Sequence, residues 1–185
     1  MGAVWVQSYT GKQLFLENPD PRSIALEDIA HHLSLISRFN GAIKEPYSVA
    51  EHSVHVANLV YGKTQNRAFG LIALLHDGCE AYLSDVSRPI KKLLPEYVRL
   101  EAQMKNCVYE AFQIPNALLL QAHEVVSWGD NVALATEVRD LLAHPPIDDW
   151  ISHYDVQADP KVIVPVGHKR AKELFYETFS QMKSY

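Results

Sequence analysis

The stretch IALLHDGCEAYLSD, residues 72–85, places ionisable groups at the end of an apolar run. His76 and Asp77 are adjacent and directly follow this run, and two further carboxylates, Glu80 and Asp85, come soon after them. Burying an ionised carboxylate without a partner costs on the order of several kcal/mol. A divalent cation would offset that cost, so the pattern favours a metal site at this point of the chain.

His52 and Asp130 interrupt apolar stripes that face inward on two other predicted helices. Together with His76 and Asp77 they supply two imidazoles and two carboxylates from three helices. This mixed nitrogen and oxygen set suits one divalent ion, for which manganese, cobalt, iron, zinc and magnesium are candidates, better than calcium. From spacing alone, a capping aspartate and a hydrogen-bonded core histidine remain an alternative to a metal site.

The predicted elements that position these groups are helical. Apolar residues at helical spacing predict a first helix from Leu26 to about residues 38–41. A second begins at Ser48, where Ser48 and Glu51 form an S-x-x-E capping box. A central helix, apolar on all sides, covers residues 67–81 and ends in the acidic groups.

Three further helices complete the prediction, which is an all-α bundle. They follow Pro95, cover about residues 118–143, and run from Pro165 to about Lys183. Residues 1–22 favour a short N-terminal hairpin, and residues 144–161 read as a long irregular connection.

Length and composition narrow the classes of function. The 185 residues, 48% of them hydrophobic, are enough for a single domain with a sizeable core, 1–185. A net charge of −5 excludes the global basic field of a protein that binds nucleic-acid polymers. No apolar stretch is long enough for a membrane span, no signal segment begins the chain, and Cys79 and Cys107 form no CxxC pair. We therefore expect a cytoplasmic protein, in the host cytoplasm if a phage encodes it.

The order of the motifs resembles that of the HD-domain metal-dependent phosphohydrolase superfamily, in particular its small bacterial 5′-deoxynucleotidases and phage dATP triphosphohydrolases. The similarity spans residues 38–142. The motifs that carry it are Arg38-Phe39, YSVAEHS at residues 47–53, LHDGCEA at residues 75–81, Asp85 followed by RPIK at residues 88–91, and Asp130.

The resemblance implies an HD-domain helical bundle in which H…HD…D residues hold the metal, here His52, His76, Asp77 and Asp130. It also implies catalytic roles for Glu80, which would activate a water, and for Asp85, at the rim of the site. A homo-oligomer is the expected assembly.

Substrate contacts are expected from four residues, Arg38, Phe39, Arg88 and Lys91. The three cations would clamp phosphate groups, although Arg88 and Lys91 could instead decorate a solvated turn. The 5′-deoxynucleotidases carry Arg-Trp where this chain has Arg38-Phe39, and the aromatic ring there packs against deoxyribose. On the long helix, Glu137, with Arg139 and Asp140, reads as a local ion-pair face.

The expected function is hydrolysis of deoxynucleotides, either of triphosphates to nucleoside and triphosphate or of 5′-monophosphates. Both reactions need a water that attacks the phosphorus nearest the sugar, so the same residues serve both. The alternatives are an HD-type cyclic or oligonucleotide phosphodiesterase and a non-catalytic nucleotide-binding module.

Overall fold

A computed structural model describes residues 3–145 and 156–183, and in these ranges it is a mostly helical bundle with one small sheet. The predicted all-α class is therefore confirmed. The described elements are β1 (Trp5–Gln7), β2 (Gln13–Phe15), α1 (Leu26–Leu35), α2 (Val49–Thr64), α3 (Arg67–Leu74), α4 (Glu80–Leu83), α5 (Arg88–Lys91), α6 (Pro95–Ala111), α7 (Asn116–Leu141) and α8 (Gly167–Lys183). Most of the predicted irregular connection, residues 146–155, lies outside the described residues.

The two strands form the short N-terminal hairpin that the sequence predicts. They pair antiparallel, with Trp5 opposite Phe15. The turn of the hairpin is tied to α1, because the backbone N–H and the hydroxyl of Thr10 both donate to the buried carboxylate of Asp28, at 2.7 and 3.0 Å. The hairpin thus caps one side of the bundle.

The centre of the core is formed by α2 and α3, which pack on each other and each contact both α7 and α8; α8 also packs against α1. The last helix buries one apolar face, formed by Ala171, Phe175, Phe179 and Met182. Within the described ranges, no helix combines the length and the apolar content that crossing a lipid bilayer requires.

The second helix begins where the capping box predicts. The Ser48 hydroxyl accepts from the N–H of Glu51 at 3.2 Å, and the Glu51 carboxylate accepts from the N–H of Ser48 at 2.9 Å. Because both orphan donors are satisfied, the first turn of α2 is fixed. His52, one residue further on, is fully buried.

The prediction of one continuous helix over residues 67–81 is wrong. The regular helix ends at Leu74, and α4 starts only at Glu80. Between them, backbone N–H groups donate to the carbonyl three residues earlier rather than four, as in a 3₁₀ helix. The N–H of Gly78, for example, donates to the carbonyl of Leu75 at 2.9 Å. The tightened turn places the adjacent side chains of His76 and Asp77 side by side, with Nε2 and Oδ2 3.1 Å apart.

The first helix is also shorter than predicted. It ends at Leu35, and residues 38–41 form a 3₁₀ turn instead. In this turn Phe39 and Asn40 have φ angles of 55° and 50°, the left-handed region that a bulky residue rarely adopts. Such strained backbone is typical of functional sites.

Candidate metal centre

Three of the predicted ligands form a compact group. His52 from α2, His76 from the turn after α3, and Asp130 from α7 each offer one ligand atom, and these atoms all lie within 4.8 Å of one another. The Oδ1 atom of Asp130 is 3.3 Å from Nε2 of His52 and 4.0 Å from Nε2 of His76.

Asp77 joins the same group. Its Oδ2 atom lies 3.5 Å from Nε2 of His52 and 3.1 Å from Nε2 of His76. The structure therefore brings together all four residues that the sequence nominates, although they are up to 78 positions apart along the chain, from His52 to Asp130.

Hydrogen bonds at the Nδ1 atoms of His52 and His76 determine the orientation of the two rings and therefore of their Nε2 atoms. Nδ1 of His52 donates to the Glu137 carboxylate at 2.7 Å, and Nδ1 of His76 donates to the carbonyl of Ala73 at 2.7 Å. Since both partners can only accept, each Nδ1 carries a proton, and a neutral ring then turns an unprotonated Nε2 inward.

Both Nε2 atoms are buried and make no hydrogen bond within the described residues. Two nitrogen lone pairs facing two carboxylates repel unless positive charge lies between them. Two imidazole nitrogens with two carboxylate oxygens are a donor set that a divalent transition metal accepts. The residues present therefore fit a metal ion.

In the metal-free protein a proton takes the place of the cation. Burial and Arg38 act to lower the pKa of His52, but Glu137 and Asp130 outweigh them and raise it to about 9, so Nε2 then carries a proton that a metal ion would replace. Burial raises the pKa of Asp77 and Asp130, but the neighbouring imidazoles outweigh it and hold both pKa values below the ordinary range. The two carboxylates stay ionised, so the group attracts a cation.

Close packing of α7 on α2 sets the position of Asp130. A Cβ atom added at Gly129 would lie 2.8 Å from the side chain of Val60 and 3.3 Å from that of Val56. Only glycine lets the two helices come this near. The residue that follows it, Asp130, then reaches the His52 ring.

Glu137 is a functional residue that the sequence interpretation missed. The sequence pattern predicts a local ion-pair face for it, but its side chain is fully buried and bridges two site residues. It accepts from Nε of Arg38 at 2.9 Å and from Nδ1 of His52 at 2.7 Å. A carboxylate within the apolar run 132–138 was the available signal. The expected Arg139–Asp140 pair does form, at 2.7 Å.

The four residues His52, His76, Asp77 and Asp130 are called the metal group below. A cavity of about 320 Å³, within the size range of small-molecule sites, opens beside this metal group. All the predicted catalytic and substrate residues line it, together with two of the metal ligands: Arg38, Phe39, Asp77, Glu80, Asp85, Arg88, Lys91 and Asp130. The other two residues of the group, His52 and His76, do not line this cavity.

Glu80 has the properties of a proton acceptor. Its Oε2 atom is buried and has no hydrogen-bond partner in the described part of the chain, while Oε1 lies 3.6 Å from Nζ of Lys91. Burial, with the negative charges of Asp77 and Asp85, raises the pKa of Glu80 well above its ordinary value. Burial also raises the pKa of Asp85, with Arg38 and Lys91 acting in the opposite direction.

The three cations that the sequence predicts as a phosphate clamp line the cavity, but they are paired with carboxylates. Arg88 donates to Asp130 at 2.7 Å, and Lys91 bonds to Glu101. Arg38 is held by Glu137 and lies 5.4 Å from the centre of the Phe39 ring. A substrate phosphate would therefore have to share or displace these partners.

Two other side chains near the motifs have structural roles. Nε2 of His55 lies 3.0 Å from the Asp159 carboxylate, so this histidine ties the segment after residue 156 to α2. Cys79 is buried, and burial raises the pKa of its thiol, so a nucleophilic role is disfavoured.

Comparison with known proteins gives relatives along nearly the whole chain. The uncharacterized protein YfdR of Escherichia coli (strain K12) is 31% identical over 182 residues, which cover 96% of this chain and 95% of YfdR. The uncharacterized protein RCAP_rcc00048 of Rhodobacter capsulatus is 33% identical over 148 residues, which cover 76% of this chain and 74% of that protein. No family model matches the sequence.

Proposed function

The chain belongs to the same family as YfdR and RCAP_rcc00048, and we propose, from the geometry of its own site, that it is an HD-domain metal-dependent phosphohydrolase of deoxynucleotides. One observation carries the proposal. Two buried imidazole nitrogens without hydrogen bonds face two carboxylates, directly behind a cavity that contains an unpaired carboxyl oxygen of Glu80 and three cations.

In this proposal His52, His76, Asp77 and Asp130 hold one divalent ion. When bound, such an ion polarises a phosphoryl oxygen and lowers the pKa of a water ligand from about 15.7 towards about 7. Glu137 keeps the proton of His52 on Nδ1, so that Nε2 remains a ligand.

The remaining chemistry belongs to side chains of the cavity. Glu80 accepts a proton from the attacking water, because its raised pKa makes it a better base than an exposed carboxylate. The oxygen of this water bonds to phosphorus as the bond from phosphorus to the sugar 5′-oxygen breaks. Asp85, whose pKa is also raised, supplies the proton that the leaving oxygen needs. Arg38, Arg88 and Lys91 offset the negative charge of the phosphate groups.

The test is product analysis on deoxynucleoside mono- and triphosphates, ribonucleotides and cyclic nucleotides, with manganese, cobalt, magnesium or zinc added in turn. We expect hydrolysis of a deoxynucleotide that chelation abolishes. The Asp77→Asn variant should lose both the metal and the activity. Turnover of cyclic or oligonucleotides alone would instead indicate a phosphodiesterase, and metal and nucleotide binding without turnover would indicate a binding module.

Phe39 is the residue on which the proposed sugar preference rests. Its ring lines the cavity and offers no hydrogen-bond partner to a ribose 2′-hydroxyl. A hydroxyl buried without a partner costs about 1–3 kcal/mol, or roughly 5- to 150-fold in kcat/KM. We expect deoxynucleotides to be preferred over the matching ribonucleotides and Phe39→Ala to narrow the difference. Equal wild-type values for dATP and ATP, and for dAMP and AMP, would contradict this preference.

A further inference from the structure

A second cavity, of about 260 Å³, borders the metal group. Its wall includes Lys105 and Tyr109 from α6, Ser127 and Asp130 from α7, and His76. Asp130 also lines the first cavity, so its carboxylate borders both spaces.

Lys105 is the unusual residue of this second cavity. It is half-buried, yet it forms no hydrogen bond and no ion pair within 4 Å among the described residues. The buried cations of the first cavity differ, since Arg38 and Lys91 each lie against a carboxylate, at Glu137 and Glu101. A partly desolvated ammonium without an anionic partner is costly, so the position favours an anionic ligand.

Lys105 lines the cavity beside two residues of the metal group, His76 and Asp130. An anion held at Lys105 would therefore lie next to the proposed metal ion.

The second cavity also adjoins a neighbouring groove on the protein surface. It continues between α6 and α7 into a wider groove of about 870 Å³, with Tyr109, Leu119 and His123 shared by the two spaces. An anionic group at Lys105 can thus be longer than one phosphate, and a released product can leave without passing Phe39.

We propose that Lys105, with the hydroxyl of Ser127 beside it, forms a second anion subsite that binds the phosphates beyond the one attacked. This inference rests on the proposed function and deepens it, because it favours nucleoside triphosphates over monophosphates as substrates. The sugar then lies in the first cavity, which Phe39 lines, and the outer phosphates lie in the second, which Lys105 lines.

The first experiment measures binding of inorganic tripolyphosphate and orthophosphate to metal-loaded protein by calorimetry. Lys105→Met should weaken tripolyphosphate binding by roughly tenfold or more, the loss expected for one charged hydrogen bond. Lys105→Arg should keep most of the affinity. Lys169→Met, which removes an exposed lysine of α8, is the matched control and should bind as the wild type does.

A second variant covers the case in which Lys105→Met disturbs the metal group. Ser127→Asp adds a negative charge to the exposed wall of the cavity and leaves Lys105 in place, and it should also weaken tripolyphosphate binding. Tripolyphosphate affinities equal to wild type in both Lys105→Met and Ser127→Asp would overturn the subsite. The probe is not a nucleotide, so the two proposals are tested separately. Absence of deoxynucleotide hydrolysis would overturn the proposed function, whereas the tripolyphosphate affinities decide whether the subsite exists.

Discussion

Glu80 and Glu101 both lie against the ammonium of Lys91, but only Glu80 has a buried oxygen without a hydrogen-bond partner in the described ranges. Glu80→Gln should keep the metal and lose about 10²- to 10⁴-fold in kcat, the usual contribution of a general base. Glu101→Gln removes the other carboxylate partner of Lys91 and should have a much smaller effect. The readouts are steady-state kinetics and metal content. Loss of the metal from Glu80→Gln would make Glu80 a ligand and contradict its role as base.

Glu137 links the metal group to Arg38 in the wall of the first cavity, because it contacts both His52 and Arg38. Glu137→Gln leaves Arg38 buried without its anion, and we expect a loss of about 3–5 kcal/mol in the free energy of unfolding of the metal-free protein. Metal affinity should fall by about 10- to 100-fold, since His52 loses the partner that orients it.

Chemical denaturation and metal titration check both effects. Glu124→Gln, at an exposed position of the same helix, is the control and should change neither quantity. A Glu137→Gln protein of wild-type stability would mean that the buried bridge contributes nothing.

The contact between α2 and α7 is the structural feature on which the metal group depends. Gly129→Ala places a methyl group 2.8 Å from Val60 and should cost about 1–3 kcal/mol of stability through overpacking, although alanine is the better helix former. Displacing α7 also moves Asp130 from His52, so metal affinity should fall.

Gly62→Ala is the matched substitution at an open position of α2. The added Cβ there meets nothing within 4 Å, so helix propensity alone predicts a gain of up to about 1 kcal/mol. Thermal unfolding of the two variants provides the comparison. A stabilised Gly129→Ala would show that the two helices do not need this close approach.

The proposed metal binding would be coupled to the stability of the whole bundle, because the candidate ligands come from α2, α7 and the turn between α3 and α4. A metal at about 100 times its Kd should stabilise the folded state by about 2.7 kcal/mol, and chelation should remove this gain. The unfolding temperature should rise with metal concentration in the wild type and stay constant in Asp130→Asn. A chelator that left the wild-type unfolding temperature unchanged would contradict a bound metal.

The sequence by itself predicted the type and approximate place of most elements, which depend mainly on neighbours along the chain. Helical spacing predicted the all-α class, the box of Ser48 and Glu51 predicted the start of α2, and alternation predicted the hairpin. The four candidate ligands were readable because ionisable groups in apolar stripes are costly and therefore few. Helix ends were less accurate, since the break after Leu74 depends on a local change in hydrogen bonding that periodicity does not register.

Only the tertiary structure decided which side chains meet. The sequence pattern predicts that Glu137 belongs to a local ion-pair face, but the packing of α7 on α2 turns it onto His52 and Arg38, which are 85 and 99 positions away. Lys105 carried no signal in the sequence, because an amphipathic helix tolerates a lysine at many positions. Its significance comes from a space that α6 and α7 enclose beside the metal group. Helical periodicity defines the faces of each helix, whereas the partner of each face is set by how the helices pack in three dimensions.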